Sequence, residues 1–394
     1  MRKIVLITCY FGEFPWYFGL FLKSCNYNPS VNFLIFSDSK WEGELPGNVN
    51  IISFDLIKFN RLATEKLGFK INIQKPYKLC DFKPAYGLIF EDYIKGYSFW
   101  GMTDIDIVFG RIREFITEER LNVYDVISVR NDYPTGSFML FRNTIKLREL
   151  FQKSRDYKKV MQSNIHYCFD ECNFKHQFLQ DGGDIFNIEC EIESMHHVLK
   201  REEKNNNLKI HFDFLIIEGL PGQLKWDRGI LSFKGEYEIL MHHLILYKSN
   251  RYTSKKRWID VPDTFYIDKY IIRKEGLSSF KGFFKNKWSN FLIPHIKKKI
   301  FLWDASLAEF FSFSVRGLEY KKYNQPEFYI EVTRSYNGQN KLSFNGMEPR
   351  LLIRSIFYKN NFYLKSFKGI RYSNNKEKGI LVQKNIMGGN LNIN

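Results

Sequence analysis

The 394-residue sequence predicts an α/β protein: a domain over residues 1–260 with a mostly parallel central sheet, then a basic C-terminal α+β extension over 261–394. Three observations predict it. The first 110 residues alternate strand and helix patterns, a rhythm that calls for parallel pairing. An apolar strand runs directly into Asp104-Ile105-Asp106. The charge is also partitioned: of a formal net +16, residues 265–394 carry 23 basic and 9 acidic side chains, leaving +2 for residues 1–264.

The elements follow in order. Ile4–Thr8 is rich in β-branched residues and leads to Tyr10-Phe11-Gly12. From Pro15 to Cys25, Phe18, Leu22 and Cys25 recur at helical spacing. Val31–Phe36 is a second strand closed by Ser37-Asp38, and Asn48–Phe54 a third, after the turn signal Leu45-Pro46-Gly47-Asn48. Ligands of such sheets sit beyond the carboxyl ends of the strands, which makes Tyr10–Gly12 and Asp38 candidate site residues. Leu79–Ile94 reads as a helix and Phe99–Thr103 as a buried strand. Strands are expected on both sides of Pro134-Thr135-Gly136, a charged helix over 144–163, and an apolar strand Glu238–Met241 followed by His242-His243.

Composition excludes several classes. Hydrophobic residues at 44% and charged residues at 26% rule out wholesale disorder and a collagen-like chain. The length suits two domains better than one. Six cysteines without a CxxC pair do not make a disulfide scaffold. The Met1-Arg2-Lys3 lead precedes too short an apolar run for a secretory signal, and no stretch approaches the ~18–20 apolar residues of a membrane span. A cytoplasmic protein with reduced thiols is expected.

Asp104-Ile105-Asp106 is the sharpest chemical signal. On an extended backbone, side chains two residues apart point the same way, so the carboxylates would share one side. Two carboxylates held together call for a cation, and a hard divalent ion such as Mg²⁺ or Mn²⁺ shared with a substrate diphosphate meets that need.

The segments Pro76–Gly87 and Phe99–Gly110 resemble a bacterial family of sugar transferases with a GT-A-type nucleotide-sugar-binding fold and a D-x-D motif, associated with surface polysaccharide synthesis. Ile4–Gly12, Asn32–Asp38 and Thr135–Asn143 resemble it too, and the likeness covers residues 3–250. It implies that Asp106 and Asp104 bind Mn²⁺ or Mg²⁺, with Asp104 on metal or ribose. It implies that Tyr10, Phe11 and Gly12 hold the base of a UDP- or GDP-linked donor. Asp81 and Lys83 would face that donor, Lys83 as a compact ammonium suited to a diphosphate. Gly136 would admit the donor sugar, or serve only as a turn glycine. His242 or His243 would add a metal ligand, and Asp170-Glu171 would supply the acceptor's general base. The acceptor implied is a glycan or lipid-linked glycan of capsule, O-antigen or lipopolysaccharide. Met102-Thr103 departs from the more polar pair expected before the motif.

Two further clusters stand apart. His166, Cys168, Cys172 and His176 fall within eleven residues, but only Cys168, Cys172 and His176 share i, i+4 spacing, which leaves a zinc site one ligand short. In the basic third, Phe280, Phe283, Phe284, Trp288 and Phe291 alternate with lysines at helical spacing over 280–301. That pattern reads as an amphipathic helix lying on an anionic membrane, or packed on the catalytic domain. The enzyme would then be peripheral on the inner face of the cytoplasmic membrane. The competing readings are a GT-A-like glycan or membrane binder without catalysis, and a nucleic-acid binder, for which no recognised module is present.

Overall fold

The computed structural model describes residues 1–274 except 214–215, 219–220, 234, 236, 249–256 and 270, together with the backbone of short strands between Leu318 and Ile393. The chain forms two compact units. The first comprises Met1–Phe214, Ser254–Val261 and Arg334–Lys341, the second Leu215–Thr253, Pro262–Thr333 and Leu342–Asn394.

The first unit realises the strand–helix alternation. Strand β1 (Ile4–Cys9) is followed by helix α1 (Phe18–Asn26), β2 (Val31–Ser37), β3 (Val49–Ser53) and helix α2 (Leu56–Leu67). Then come β4 (Phe99–Thr103), β5 (Ile107–Phe109), β6 (Val126–Ser128), β7 (Phe138–Arg142) and β8 (Ile210–Phe212). The central sheet runs β3-β2-β1-β4-β7-β6-β8 and is mostly parallel, with β7 antiparallel to both of its neighbours. Strand β1 pairs with β2 on one side and β4 on the other, Ile4 opposite both Val31 and Phe99. The chain thus reverses direction across the sheet at β1/β4, which opens a crevice at the carboxyl ends of these strands. Every residue of β4 is buried, and Trp100 stacks on Phe141 with centroids 4.6 Å apart, so the strand that carries the acidic motif is anchored in the core.

Two expected helices are broken. Over 79–94 the chain forms a 3₁₀ segment (Pro76–Ala85), one α turn (Tyr86–Ile89) and a 3₁₀ turn (Glu91–Tyr93). Pro84 offers no N–H and disfavours α geometry at Lys83, so the segment tightens instead. Its tight turns bury Lys78, Asp81 and Lys83 together. Over 144–163 there are three short turns, Ile145–Arg148, Leu150–Lys153 and Tyr157–Gln162. Around Ser154, side-chain bonds replace the helical ladder. Its hydroxyl donates to Glu193 O at 2.6 Å, and the Arg155 N–H donates to the Glu193 carboxylate at 2.7 Å.

The second unit contains the short parallel pair β9 (Ile216–Ile217) and β13 (Met241–His243). It also contains an antiparallel sheet of β10 (Leu224–Asp227), β11 (Ile230–Phe233), β12 (Tyr237–Glu238), β14 (Thr264–Ile267) and β15 (Ile272–Arg273). The β10–β11 turn places Arg228 and Gly229 both at positive φ, as a two-residue hairpin with right-handed twist requires. The expected Glu238–Met241 strand is divided between β12 and β13, so His242 and His243 lie within a strand and not after one.

Candidate active site

The carboxyl ends of β1, β2 and β4 and the start of β7 meet at one edge of the sheet. The loop after β1 is fixed there by backbone and side-chain bonds. Tyr10 N donates to Phe36 O at 2.9 Å, Gly12 N to Asp38 Oδ1 at 2.7 Å, and Ser39 Oγ to Gly12 O at 2.7 Å. Gly12 has φ +102°, a conformation that side chains resist. Phe11 packs on the main core and Tyr10 stacks on Phe14. Asp38 therefore holds the loop that carries the three residues predicted to meet the nucleotide base.

Strand β4 stops at Thr103, whose carbonyl accepts from Thr8 Oγ1 at 2.6 Å. The expected extended Asp-x-Asp is not extended: Ile105 and Asp106 form a turn between β4 and β5. Ile105 is buried, so the chain must bend to keep it in the core. The turn still brings a carboxylate oxygen of Asp104 within 4.8 Å of one of Asp106. Asp104 is partly exposed and Asp106 is 1% exposed. Tyr17, which no sequence signal singled out, is buried beside them. Its phenol is pushed far above the usual range by burial and then by the charges of Asp106, Tyr10 and Asp104.

Lys83 projects from the Pro76–Ala85 segment into this edge. Its Nζ donates to Asp104 Oδ1 at 2.6 Å and to Gly136 O at 2.9 Å, and lies 4.0 Å from Asp170 Oδ2. Burial disfavours the ammonium, but Asp104 and Asp170 outweigh it and keep Lys83 charged. A Cβ at Gly136 would stand 2.0 Å from Asp170 Oδ2 and 3.2 Å from Lys83 Nζ, so what this glycine admits is the Asp170 carboxyl.

The acidic pair divides its duties. Asp170 is buried, and its pKa is raised well above the carboxylate range by burial and by the charges of Glu171, Asp81 and Asp104, against the pull of Lys83. Glu171 accepts from Gly136 N at 2.9 Å and Thr135 Oγ1 at 3.2 Å, and pairs with His176 Nε2 at 2.7 Å. Burial opposes its charge, but His176 and the Gly136 N–H prevail and hold it ionised. Asp81, predicted beside Lys83, is engaged elsewhere. It is fully buried and accepts from Lys78 Nζ, Tyr167 N and Phe169 N at 2.7–2.9 Å, which ties the Lys83 segment to the chain entering Asp170.

In the second unit, His242 and His243 are buried on β13. His243 Nδ1 pairs with Glu218 Oε1 at 2.9 Å, and the His242 ring packs edge-on to Tyr247. The 280–301 segment lies outside the described residues.

A family described as a family of unknown function (DUF6625) matches residues 6–275. No curated protein matches the chain. Among solved structures, the glycosyltransferase GlyE of Streptococcus pneumoniae TIGR4 is similar at 10% identity and TM-score 0.29, over 54% of this chain and 45% of that one. The galactosyltransferase LgtC in complex with donor and acceptor sugar analogs is similar at 12% identity and TM-score 0.26, over 43% and 71%. The chain spans less than half the length of GlyE, and likeness this distant carries no argument about chemistry.

Proposed function

This chain belongs to the DUF6625 family, and we propose that it transfers a sugar from a UDP- or GDP-linked donor to a glycan or lipid-linked glycan acceptor, with Mn²⁺ or Mg²⁺ as cofactor. The observation that carries this reading is the Asp104–Asp106 pair, whose oxygens lie within 4.8 Å at the switch-point edge of a parallel sheet beside a buried ammonium. A pair of carboxylates fits a hard divalent ion, and octahedral neighbours at ~2.1 Å bond lengths stand about 3 Å apart. When bound there, the ion would neutralise charge developing on the leaving diphosphate.

The chain's own residues do the rest. Asp106 and Asp104 hold the ion. Lys83, kept charged, supplies a fixed cation for diphosphate oxygens without the cost of ordering solvent. Tyr10, Phe11 and Gly12, braced by Asp38, hold the nucleotide base. Asp170, buried beside the Lys83 ammonium at the Gly136 turn, takes the proton of the acceptor hydroxyl. Glu171 positions the Thr135-Gly136 turn against it. The further ligand that the resemblance implies would be His242 or His243, and the pairing of His243 Nδ1 with Glu218 is of the kind metal-binding imidazoles ordinarily possess.

Synthesis of surface polysaccharide on the inner face of the cytoplasmic membrane would suit the basic region. No helix among the described residues is long and apolar enough to cross a membrane.

The test is thermal shift and turnover against a panel of nucleotide sugars with and without Mn²⁺. One donor should stabilise the protein only with the ion present, and Asp106→Asn should lower transfer by at least about a hundredfold with its melting temperature preserved. Full transfer by Asp106→Asn would sink the assignment.

A further inference from the structure

The chain from Cys168 to His176 gathers two donors that sugar transfer does not use, Cys168 and His176, around Glu171 Oε2. Cys168 Sγ lies 3.6 Å from Glu171 Oε2 and 3.7 Å from His176 Nε2, and those two atoms are 2.7 Å apart. Cys172 is buried but lies outside the set of ligand atoms within 4.8 Å of one another, and Lys175 N donates to its carbonyl at 3.1 Å. Both cysteines are buried and neither is in a disulfide. The fold puts Glu171 where the i, i+4 spacing of the sequence suggested Cys172, because Cys168–Lys175 is a series of turns and not a helix. His166 is excluded, its Nδ1 lying 3.2 Å from Asp81.

We propose that Cys168, Glu171 and His176 bind one zinc ion, with solvent in the fourth position. A tetrahedral zinc with bonds of ~2.3 Å to sulfur and ~2.0–2.1 Å to nitrogen and oxygen sets S···N and S···O neighbours about 3.6 Å apart and N···O about 3.4 Å apart. Two of the three measured edges already match. The third opens by roughly 0.7 Å as the ion replaces the His176–Glu171 hydrogen bond. The Cys168 thiol and the His176 Nε2–H release their protons to solvent on coordination. The other Glu171 oxygen is held by Gly136 N and Thr135 Oγ1, the outer contact that aims a metal-binding carboxylate. A thiolate and an imidazole select zinc over Mg²⁺ and Mn²⁺, which prefer oxygen throughout. The three protein ligands fix the turn that carries Asp170.

The proposal stands independently of the sugar-transfer reading, so its test avoids turnover. The full chain, stripped with a chelator and reloaded with Zn²⁺ alone, should hold about one zinc per chain by elemental analysis. Residue-resolved alkylation should slow about tenfold at Cys168 with Zn²⁺ but not with Mn²⁺, while Cys9 and Cys190 are unaffected. His176→Gln should weaken zinc retention by at least about tenfold, and Asp106→Asn should leave it intact. Unchanged alkylation of Cys168 in the wild-type chain would overturn the proposal, whether or not any variant folds. Zinc retained by a Cys168→Ser, His176→Gln double variant would overturn it equally.

Discussion

Lys83 Nζ sits among three oxygens from three separate stretches of chain: Asp104 Oδ1, Gly136 O and, at 4.0 Å, Asp170 Oδ2. At this scale, the fit around Gly136 decides whether the cluster can exist. A methyl group there meets Asp170 Oδ2 at 2.0 Å and Lys83 Nζ at 3.2 Å, and both side chains are buried. Gly136→Ala should therefore destabilise the fold by about 1–3 kcal/mol, the usual cost of overpacking, as read from urea denaturation. It should also impair transfer by displacing Asp170. A variant of wild-type stability would show that the carboxyl moves aside freely. Single residues were only partly legible in the sequence. Lys83 and Asp170 were found as candidates, but Tyr17 was hidden in an ordinary helical pattern. Asp81 matched its motif neighbour Lys83 in type while serving a bracing role that only tertiary bonds reveal.

Elements were more legible where local and global preferences agree. Helix α2 is bounded by Asp55, whose carboxylate accepts from Lys58 N at 2.7 Å, and by Gly68 at φ +76°. Both ends thus follow local capping chemistry. Asp55→Ala should cost about 1 kcal/mol in equilibrium denaturation, and a loss below a few tenths would mean that tertiary packing alone sets this end. The parallel strands were readable from apolar runs and turn signals. The 79–94 and 144–163 helices were not, because Pro84 and the Ser154–Glu193 bonds override an apolar spacing that looks continuous. The D-x-D turn was misread for a similar reason: burial of Ile105 outweighs the extended geometry that the preceding strand suggests.

For the molecule as a whole, buried histidines set an acid limit. Burial, then nearby Lys200 and His197, depress His196 to about 3, and burial, then Arg120, depresses His211 to about 4. In the unfolded chain both titrate near ~6.5. Between about 6.5 and 4 the unfolded state binds more protons, so stability falls as pH falls through that window, by roughly 1 kcal/mol per pH unit for each histidine. Urea titrations at successive pH values should show this slope, and a His196→Gln, His211→Gln double variant should flatten it. An unchanged slope would assign acid sensitivity to the carboxylates instead. The same scale gives the Asp81 clasp a kinetic meaning. Its bonds to the Tyr167 and Phe169 amides join residues 86 and 88 apart in sequence. Closing a flexible loop of that length costs about 4 kcal/mol, which two amide bonds to one carboxylate barely offset. This balance predicts that the clasp closes only on a chain already folded around it, with the Lys83–Asp170 neighbourhood assembling after the rate-limiting step. In stopped-flow experiments Asp81→Asn should speed unfolding and leave refolding unchanged, whereas slowed refolding would place the clasp in the folding nucleus.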